Sequence, residues 1–378
     1  MIEVSRVLVS EEVENKALRH RRRKEAAPVV VWCTTRRCNL NCMHCYSGGA
    51  GSAEGELSTG EAQEMLQELA DWGSPFAIFS GGEPFLREDI FELGGFAADH
   101  GLQVIISSNG TAITREKALK AAEAGFTYVG VSLDGLEKTN NAFRGGGDAY
   151  ERALRGMRNL REAGIKTGLR FTVTRLNYHE LPLLMELLVK ERLHRLCVYH
   201  LEYSGRGSAM RRYDLPPEKR REAVRGLFKR TVEINRGYKL EVLTVGNYAD
   251  AAYLYMKVRR EAPEKAPAVY KHFLRNGGDG SGEKLAYIDE RGNVFPSQFL
   301  RVNLGNVREA SMREIWLSEN EFLWKLRNRE RFLNGRCAGC VFLELCRGGS
   351  RARALAVHRD FGAPDPSCYL TPEEIRHD

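Results

Sequence analysis

Val29-Val-Val-Trp32-Cys-Thr-Thr-Arg-Arg-Cys38-Asn-Leu-Asn-Cys42-Met-His-Cys45-Tyr46 is the stretch from which the rest of the chain is read. It begins as a short β-branched run, the pattern of a strand buried on both faces. It then passes directly into a loop with three thiols within eight residues. Thiolates are soft ligands, suited to iron–sulfur clusters and to zinc. Three neighbouring ligands leave one metal position open to chemistry, whereas four close the site. Two other readings stand beside this one: a zinc site completed by a distant ligand, with His44 as an internal candidate, and thiols that hold no metal.

Outward from that strand, one grammar repeats as far as about Arg236: a short apolar run, a polar turn, then a longer amphipathic stretch. The pattern predicts strands at Val29–Trp32, Phe76–Ser80, Gln103–Ser107, Tyr128–Ser132, Thr167–Thr172 and Leu196–Leu201. The first intervening helix, Glu61–Asp71, carries Met65, Leu66 and Leu69 at helical spacing after the cap candidates Ser58 and Thr59. Gly73, Gly101, Gly125 and Gly164 each follow a helical run, where a left-handed cap is required. Six such units predict an α/β fold: a partial (βα)6 TIM-like barrel, with a doubly wound sheet as the alternative. In both, the active site lies at the C-terminal strand ends.

Three further helices are expected at Leu215–Asn235, Ala251–Arg260 and Ala268–Arg275. Asn276–Gly282 is a glycine-rich boundary, and it lacks the Gly-Lys-Ser/Thr ending of a phosphate loop. A hairpin, Leu285–Asp289 with Val294–Leu300, follows. The expected division is a basic N-terminal extension (1–27), the barrel (28–236), a helical linker region (237–282) and a small C-terminal domain (283–378).

The chain has 378 residues, 43% hydrophobic and 28% charged, with net charge +7. That balance excludes a disordered chain, a collagen repeat and a disulfide miniprotein. Met1–Ser10 lacks a basic start followed by an apolar core, and no apolar run of about 18 residues occurs. A cytoplasmic location with no membrane partner is therefore expected. Arg19–Lys24 forms a basic run that reads as a solvated segment or a cationic lip. Aromatic residues are not interleaved there, so no nucleic-acid partner is expected.

Four more thiols form the spacing Cys337-x2-Cys340-x5-Cys346-x21-Cys368. They suit a closed cluster or a zinc ribbon, although ribbons favour two Cys-x2-Cys pairs. Cys33 and Cys197 fall in apolar strands and read as buried thiols.

Cys38-Asn-Leu-Asn-Cys42-Met-His-Cys45-Tyr46 resembles the signature of the radical S-adenosylmethionine (SAM) superfamily. The resemblance implies a [4Fe-4S] cluster on Cys38, Cys42 and Cys45, with SAM on the open iron. It implies SAM contacts at Gly81, Gly82 and Glu83, in Ser80-Gly-Gly-Glu-Pro84 at the second strand end. The glycines permit close backbone approach, and Glu83 offers an acceptor to an ammonium group. Ser108 and Asn109 at the third strand end, Ser132 and Asp134 at the fourth, and Arg170 in the fifth are the further implied cofactor contacts.

The tail resembles the SPASM/Twitch auxiliary-cluster domains. Full SPASM domains use seven cysteines for two clusters, and here Ser297 stands in the hairpin where cysteine is common. One auxiliary four-iron cluster on Cys337, Cys340, Cys346 and Cys368 is implied.

Over nearly its whole length the chain resembles the radical SAM enzymes of siroheme-dependent heme formation. The matching stretches are Pro28–Trp32, Tyr128–Gly135, Gly168–Thr172, His200–Gly207, Gly246–Tyr253, Leu304–Arg308 and Asp365–Leu370. Gly246-Asn-Tyr248 departs from the Gly-Asn-Asn of the group. One branch removes acetates from 12,18-didecarboxysiroheme to give iron-coproporphyrin III. The other removes propionates on the way to heme d1. Met1–Arg6 and Leu370–Glu374 look more like the first.

The implied partners are a tetrapyrrole substrate and a low-potential electron donor such as ferredoxin or flavodoxin. After the sixth strand, Arg206 suits a substrate carboxylate, and His200 and Tyr203 are candidate proton donors. Tyr248, Tyr253 and Tyr255 are candidate cavity walls. Two other classes remain: a peptide maturase, for which the 27 residues before Pro28 leave too little room for a recognition domain, and a non-catalytic zinc or nucleic-acid-binding module.

Overall fold

The computed structural model describes residues 1–11, 13, 26–49 and 51–376, so the basic run Arg19–Lys24 lies outside the described residues. Among them are eleven strands: β1 Ile2–Glu3, β2 Val29–Thr35, β3 Ala77–Gly81, β4 Val104–Ser108, β5 Tyr128–Ser132, β6 Lys166–Val173, β7 Arg195–His200, β8 Glu241–Val245, β9 Leu285–Ile288, β10 Asn293–Phe295 and β11 Gly305–Asn306. All six strands expected of the βα alternation are present: five lie within one residue of their expected bounds, and the first runs three residues further, to Thr35. The chain divides into two compact units within strand β6, between Arg170 and Phe171.

One unit comprises Arg22–Arg170 and Ser281–Arg327. In it β2, β3, β4, β5 and the start of β6 pair in parallel in chain order, with Val30 opposite Ala77, Ala77 opposite Val104, Ile105 opposite Tyr128, and Tyr128 opposite Lys166. Helices connect them. The first, Thr59–Asp71, starts at a capping box: the Glu61 amide donates to Ser58 Oγ and the Ser58 amide to the Glu61 carboxylate. Gly73, Gly101, Gly125 and Gly164 have φ between 76° and 81°, the left-handed turn expected after each helix. Val30, Trp32, Phe79, Ile106, Val129 and Leu169 are fully buried, as strands covered on both faces must be.

The hairpin joins this same sheet. β9 pairs in parallel with β2, Val29 opposite Leu285, and β10 and β11 continue antiparallel. A first barrel strand left unpaired would expose a row of backbone donors and acceptors, and β9 covers it. Strands β9 to β11, from the region expected as a small C-terminal domain, thus extend the sheet of this unit.

The other unit comprises Met1–Arg21, Phe171–Gly280 and Asn328–Asp378. β7 and β8 run parallel, Arg195 opposite Glu241, and β1 pairs antiparallel with β8, Ile2 opposite Thr244. The region expected as a helical linker thus contains a strand before its helices Ala249–Glu261 and Ala266–Asn276. The first residues of the expected extension are built in as well. β1 is followed by helix Val4–Val9, whose Ser5 hydroxyl accepts from the Val242 amide at 3.0 Å.

Candidate cluster and cofactor sites

The thiol loop leaves the end of β2 and is pinned by helix Glu137–Arg144. The Asn41 amide donates to the Arg144 carbonyl at 3.2 Å, and the Met43 amide to the Phe143 carbonyl at 2.9 Å. Cys42 packs with Leu40 and Ala149, and Cys38 and Cys45 pack against that cluster. Burial pushes Cys38 up to about 11, and the neighbouring Cys42 and Cys45 add to the rise. Burial raises Cys42 as well, against the opposing Arg144 charge. Thiols that repel one another's ionisation become stable thiolates when a cation is supplied.

N–H donors already face two of the sulfurs. Arg144 Nη1 lies 3.7 Å from Cys42 Sγ and Asn109 Nδ2 lies 3.8 Å from Cys38 Sγ. Ser47 Oγ is 3.3 Å from Cys45 Sγ. Among the described residues no three His, Cys, Asp or Glu side chains converge on a point fit for a single ion. Three coupled thiols spread in this way, with N–H donors behind them, fit the ligand shell of a larger sulfur-bridged cluster.

Arg144 is the residue that sequence reasoning misses. It is buried and ion-paired with Asp134, which is fully buried, and His44 Nε2 lies 3.6 Å from the same carboxylate. Asp134 is expected to touch SAM; the structure turns it instead toward Arg144 and His44, behind the thiol loop. His44 rests 4.7 Å from the Phe143 ring and belongs to the same support.

Glu83 differs from expectation in the same manner. Its carboxylate is fully buried and accepts from Ser108 Oγ at 2.7 Å, the Asn109 amide at 2.7 Å and the Phe85 amide at 3.2 Å. Burial raises it, with these three bonds opposing. It therefore ties the ends of β3 and β4 together rather than presenting itself to an ammonium group. Ser108 and Asn109 are buried partners in this latch. Asn109 also donates to Asn39 Oδ1 at 2.9 Å, which links the latch to the thiol loop.

The glycine pair before Glu83 does permit close approach, but to the start of the thiol loop. The Gly82 amide donates to the Thr35 carbonyl at 2.7 Å, and a Cβ on Gly82 would stand 2.2 Å from the Arg37 carbonyl oxygen. Gly81, Gly82, Ser132 and Arg170 remain half-buried at or near the strand ends. Ser132 and Arg170 are register partners, and the Arg170 stem lies along Gly130, where a Cβ would come within 2.8 Å of Arg170 Cδ. Tyr46, which closes the signature, is half-buried and shares a 2.9 Å hydrogen bond with Ser80 Oγ. Burial pushes its hydroxyl up to about 12.

The four tail thiols lie together in the other unit. Cys337, Cys340, Cys346 and Cys368 line one cavity, with Arg336, Asn247, Leu343 and Asp365 in its wall. Burial raises all four, and most strongly Cys346. Four thiols around one cavity fit a closed cluster. Behind them Arg353 is fully buried. It donates Nε and Nη2 to the two Asp365 oxygens at 2.9 and 2.7 Å, and Nη1 to Glu202 Oε1 at 2.8 Å.

The three expected substrate residues fare differently. His200 is enclosed: Nε2 lies 2.9 Å from Asp250 Oδ2, and Nδ1 lies 3.1 Å from Arg220 Nη1. A guanidinium has no acceptor, so Nδ1 accepts and the Nε2 proton goes to Asp250. Tyr203 donates to Asp214 Oδ2 at 2.5 Å. Both groups are thus engaged within the protein. Arg206 lies half-buried in the turn Gly205–Tyr213. Tyr248 is buried, while Tyr253 stacks on Phe228 with ring centres 5.9 Å apart and takes the Arg221 guanidinium on its ring. Both read as packing.

No helix among the described residues is long and apolar enough to cross a membrane.

Comparison with known proteins agrees with this geometry. The Radical SAM superfamily model matches residues 32–188, and the SPASM iron-sulfur cluster-binding domain matches residues 281–341. The chain is 46% identical over 359 residues to Fe-coproporphyrin III synthase of Methanosarcina barkeri, covering 93% of this chain and 90% of that protein. It is 41% identical over 352 residues to pre-heme d1 synthase of Dinoroseobacter shibae, covering 92% and 87%. It is 32% identical to AdoMet-dependent heme synthase of M. barkeri, covering 92% and 97%.

Among solved structures, SuiB of Streptococcus suis aligns with TM-score 0.70 at 19% identity, over 91% of this chain and 78% of that one. anSMEcpe with bound AdoMet aligns with TM-score 0.69 at 18% identity, over 92% and 98%. At these identities the likeness concerns the fold: α/β, with a partial TIM-like barrel core. The family model and the heme-synthase relatives set aside the reading as a non-catalytic module. The chain belongs to the radical SAM superfamily, as an iron–sulfur enzyme with a C-terminal SPASM segment that works with [4Fe-4S] clusters and SAM.

Proposed function

We propose that this enzyme removes the acetate side chains of 12,18-didecarboxysiroheme to give iron-coproporphyrin III. The observation that carries the reading is the 46% identity to Fe-coproporphyrin III synthase over 93% of the chain. In this account Cys38, Cys42 and Cys45 hold the cluster that binds SAM. Cys337, Cys340, Cys346 and Cys368 hold one auxiliary cluster, which relays electrons or supports the fold. When bound, the first cluster and SAM together supply a 5′-deoxyadenosyl radical that abstracts hydrogen from the substrate.

The chain's own residues do the rest. Arg144 and Asn109 offer N–H groups to thiolate sulfurs, which stabilises their negative charge. The Gly81–Gly82 turn and Glu83 fix the thiol loop, and Ser132 and Arg170 contact SAM. Arg206 takes a substrate carboxylate, consistent with a polycarboxylate ligand and a chain of net charge +7. Electrons come from a low-potential donor such as ferredoxin or flavodoxin, in the cytoplasm.

A second reading, propionate removal from the same compound, is favoured by the 41% identity to pre-heme d1 synthase. Anaerobic turnover with SAM and reductant, followed by mass spectrometry of the porphyrin, separates the two. Loss of acetates supports the first reading, loss of propionates the second. Iron analysis tests the cluster assignment: about eight irons per chain are expected, and about four after Cys337→Ala.

A further inference from the structure

Cys368 stands apart from its partners: 21 residues separate it from Cys346, so no local turn places its sulfur beside theirs. The residues on either side of it are tied to two buried carboxylates. Ser367 Oγ donates to Asp214 Oδ2 at 3.3 Å, and Tyr369 OH donates to Asp250 Oδ1 at 2.7 Å. The Ser367 carbonyl also accepts from Asn247 Nδ2 at 2.8 Å.

Those two carboxylates are bridged. Arg220 pairs with Asp214 at 2.8 Å and lies 3.1 Å from His200 Nδ1, and His200 Nε2 lies 2.9 Å from Asp250. Tyr203 donates to Asp214 at the outer end. A continuous chain therefore runs Tyr203–Asp214–Arg220–His200–Asp250–Tyr369. Burial raises the Asp250 carboxyl, but His200, with Thr244 and Tyr369, outweighs it and holds the carboxyl below its ordinary value. Such charge-assisted bonds in a water-poor interior hold their members in one geometry.

We propose that this network is the device that positions Cys368, so that His200 and Tyr203 are positioning residues for the auxiliary cluster. The inference rests on the reading that Cys368 ligates that cluster. Ser367 and Tyr369 act as two pegs on either side of the sulfur; His200 holds the carboxylate that receives Tyr369 and, through Arg220, is linked to the one that receives Ser367. Loosening one peg alters the thiolate geometry and with it the spectrum and potential of the auxiliary cluster. The SAM-binding cluster, held by a separate loop, is left unchanged.

The test uses the full chain, reconstituted anaerobically, with Tyr369→Phe, Ser367→Ala, His200→Leu and His200→Gln, and with Cys368→Ala as reference. Tyr369→Phe is expected to shift the auxiliary-cluster potential and paramagnetic resonance signal. It is also expected to speed iron loss from that cluster to a chelator by about fivefold, the effect of one hydrogen bond. The SAM-dependent signal of the other cluster stays as in the parent. His200→Leu reproduces the effect, and His200→Gln, which keeps an amide donor and acceptor, restores it in part. Folded variants with the parent's auxiliary potential, signal and iron release overturn the proposal. Equal losses at both clusters also overturn it, because they mark general destabilisation. If Cys368→Ala itself leaves the auxiliary cluster intact, the ligand assignment fails, and the positioning role falls with it.

Discussion

Arg144 Nη1 lies 3.7 Å from Cys42 Sγ while the same guanidinium is ion-paired with the fully buried Asp134. One side chain thus serves a cluster thiol and a carboxylate that has no access to water. Removing Arg144 takes the guanidinium counter-charge away from that carboxylate, and breaking a buried pair in this way costs about 3–5 kcal/mol. Arg144→Gln should destabilise the metal-free protein by that order in urea unfolding. Arg144→Gln with Asp134→Asn should recover most of the loss. A double variant as unstable as the single one would show that the pair is not the reason.

Glu83 accepts three hydrogen bonds across the ends of β3 and β4. Glu83→Gln replaces one accepting oxygen by a donor that faces a hydroxyl or amide, leaving a buried polar atom unsatisfied at about 1–3 kcal/mol. The expected outcome is weaker SAM binding in calorimetry together with faster hydrogen exchange at Ser108 and Asn109. Unchanged exchange there would mean that the latch is not formed.

Gly82→Ala places a methyl 2.2 Å from the Arg37 carbonyl oxygen. Neither backbone can yield cheaply, so about 1–3 kcal/mol of overpacking is expected. The strain falls on the loop that carries Cys38, and iron incorporation at the SAM-binding cluster should drop while the auxiliary cluster assembles. Normal iron content in this variant would refute the clamp between the two turns.

Burial pushes Glu202 up to about 8, with Arg353 opposing and Asp365 reinforcing the rise. Asp365, sharing the same Arg353, is held below its ordinary value despite its burial. The folded Glu202 therefore binds its proton more tightly than the unfolded one. Its contribution to stability is fully present below the ordinary value of 4.5 and is lost as pH rises through about 8. Glu202→Gln mimics the protonated form, so the variant should gain on the parent progressively from about pH 5 to pH 8.5. A difference that does not vary with pH would show that Glu202 is already ionised in the fold.

The six parallel strands are legible because each is a short apolar run followed by a polar turn and a longer helical stretch. β8 is not, because Glu241–Val245 sits between two stretches that read as helices. The pairing of β2 with β9 leaves no local trace either, since the partners lie some 250 residues apart in the chain. At the site, cysteine spacing carries the thiol assignments, because ligand spacing is local chemistry. Arg144 carries no such mark: one arginine at the end of a polar helix looks like any other until Asp134 and Cys42 close around it. His200 shows the same limit of local reading. A histidine at a strand end reads as an acid, and only Asp250 and Arg220, brought in from other elements, reveal that both its nitrogens are engaged.

The most direct measurement follows 5′-deoxyadenosine and porphyrin product together, in anaerobic reactions of the parent and of Cys38→Ala with SAM, reductant and 12,18-didecarboxysiroheme. The account predicts that both products rise together in the parent, with iron-coproporphyrin III as the porphyrin, and that Cys38→Ala makes neither. Unaltered substrate alongside two assembled clusters, or product formed by Cys38→Ala, would contradict it.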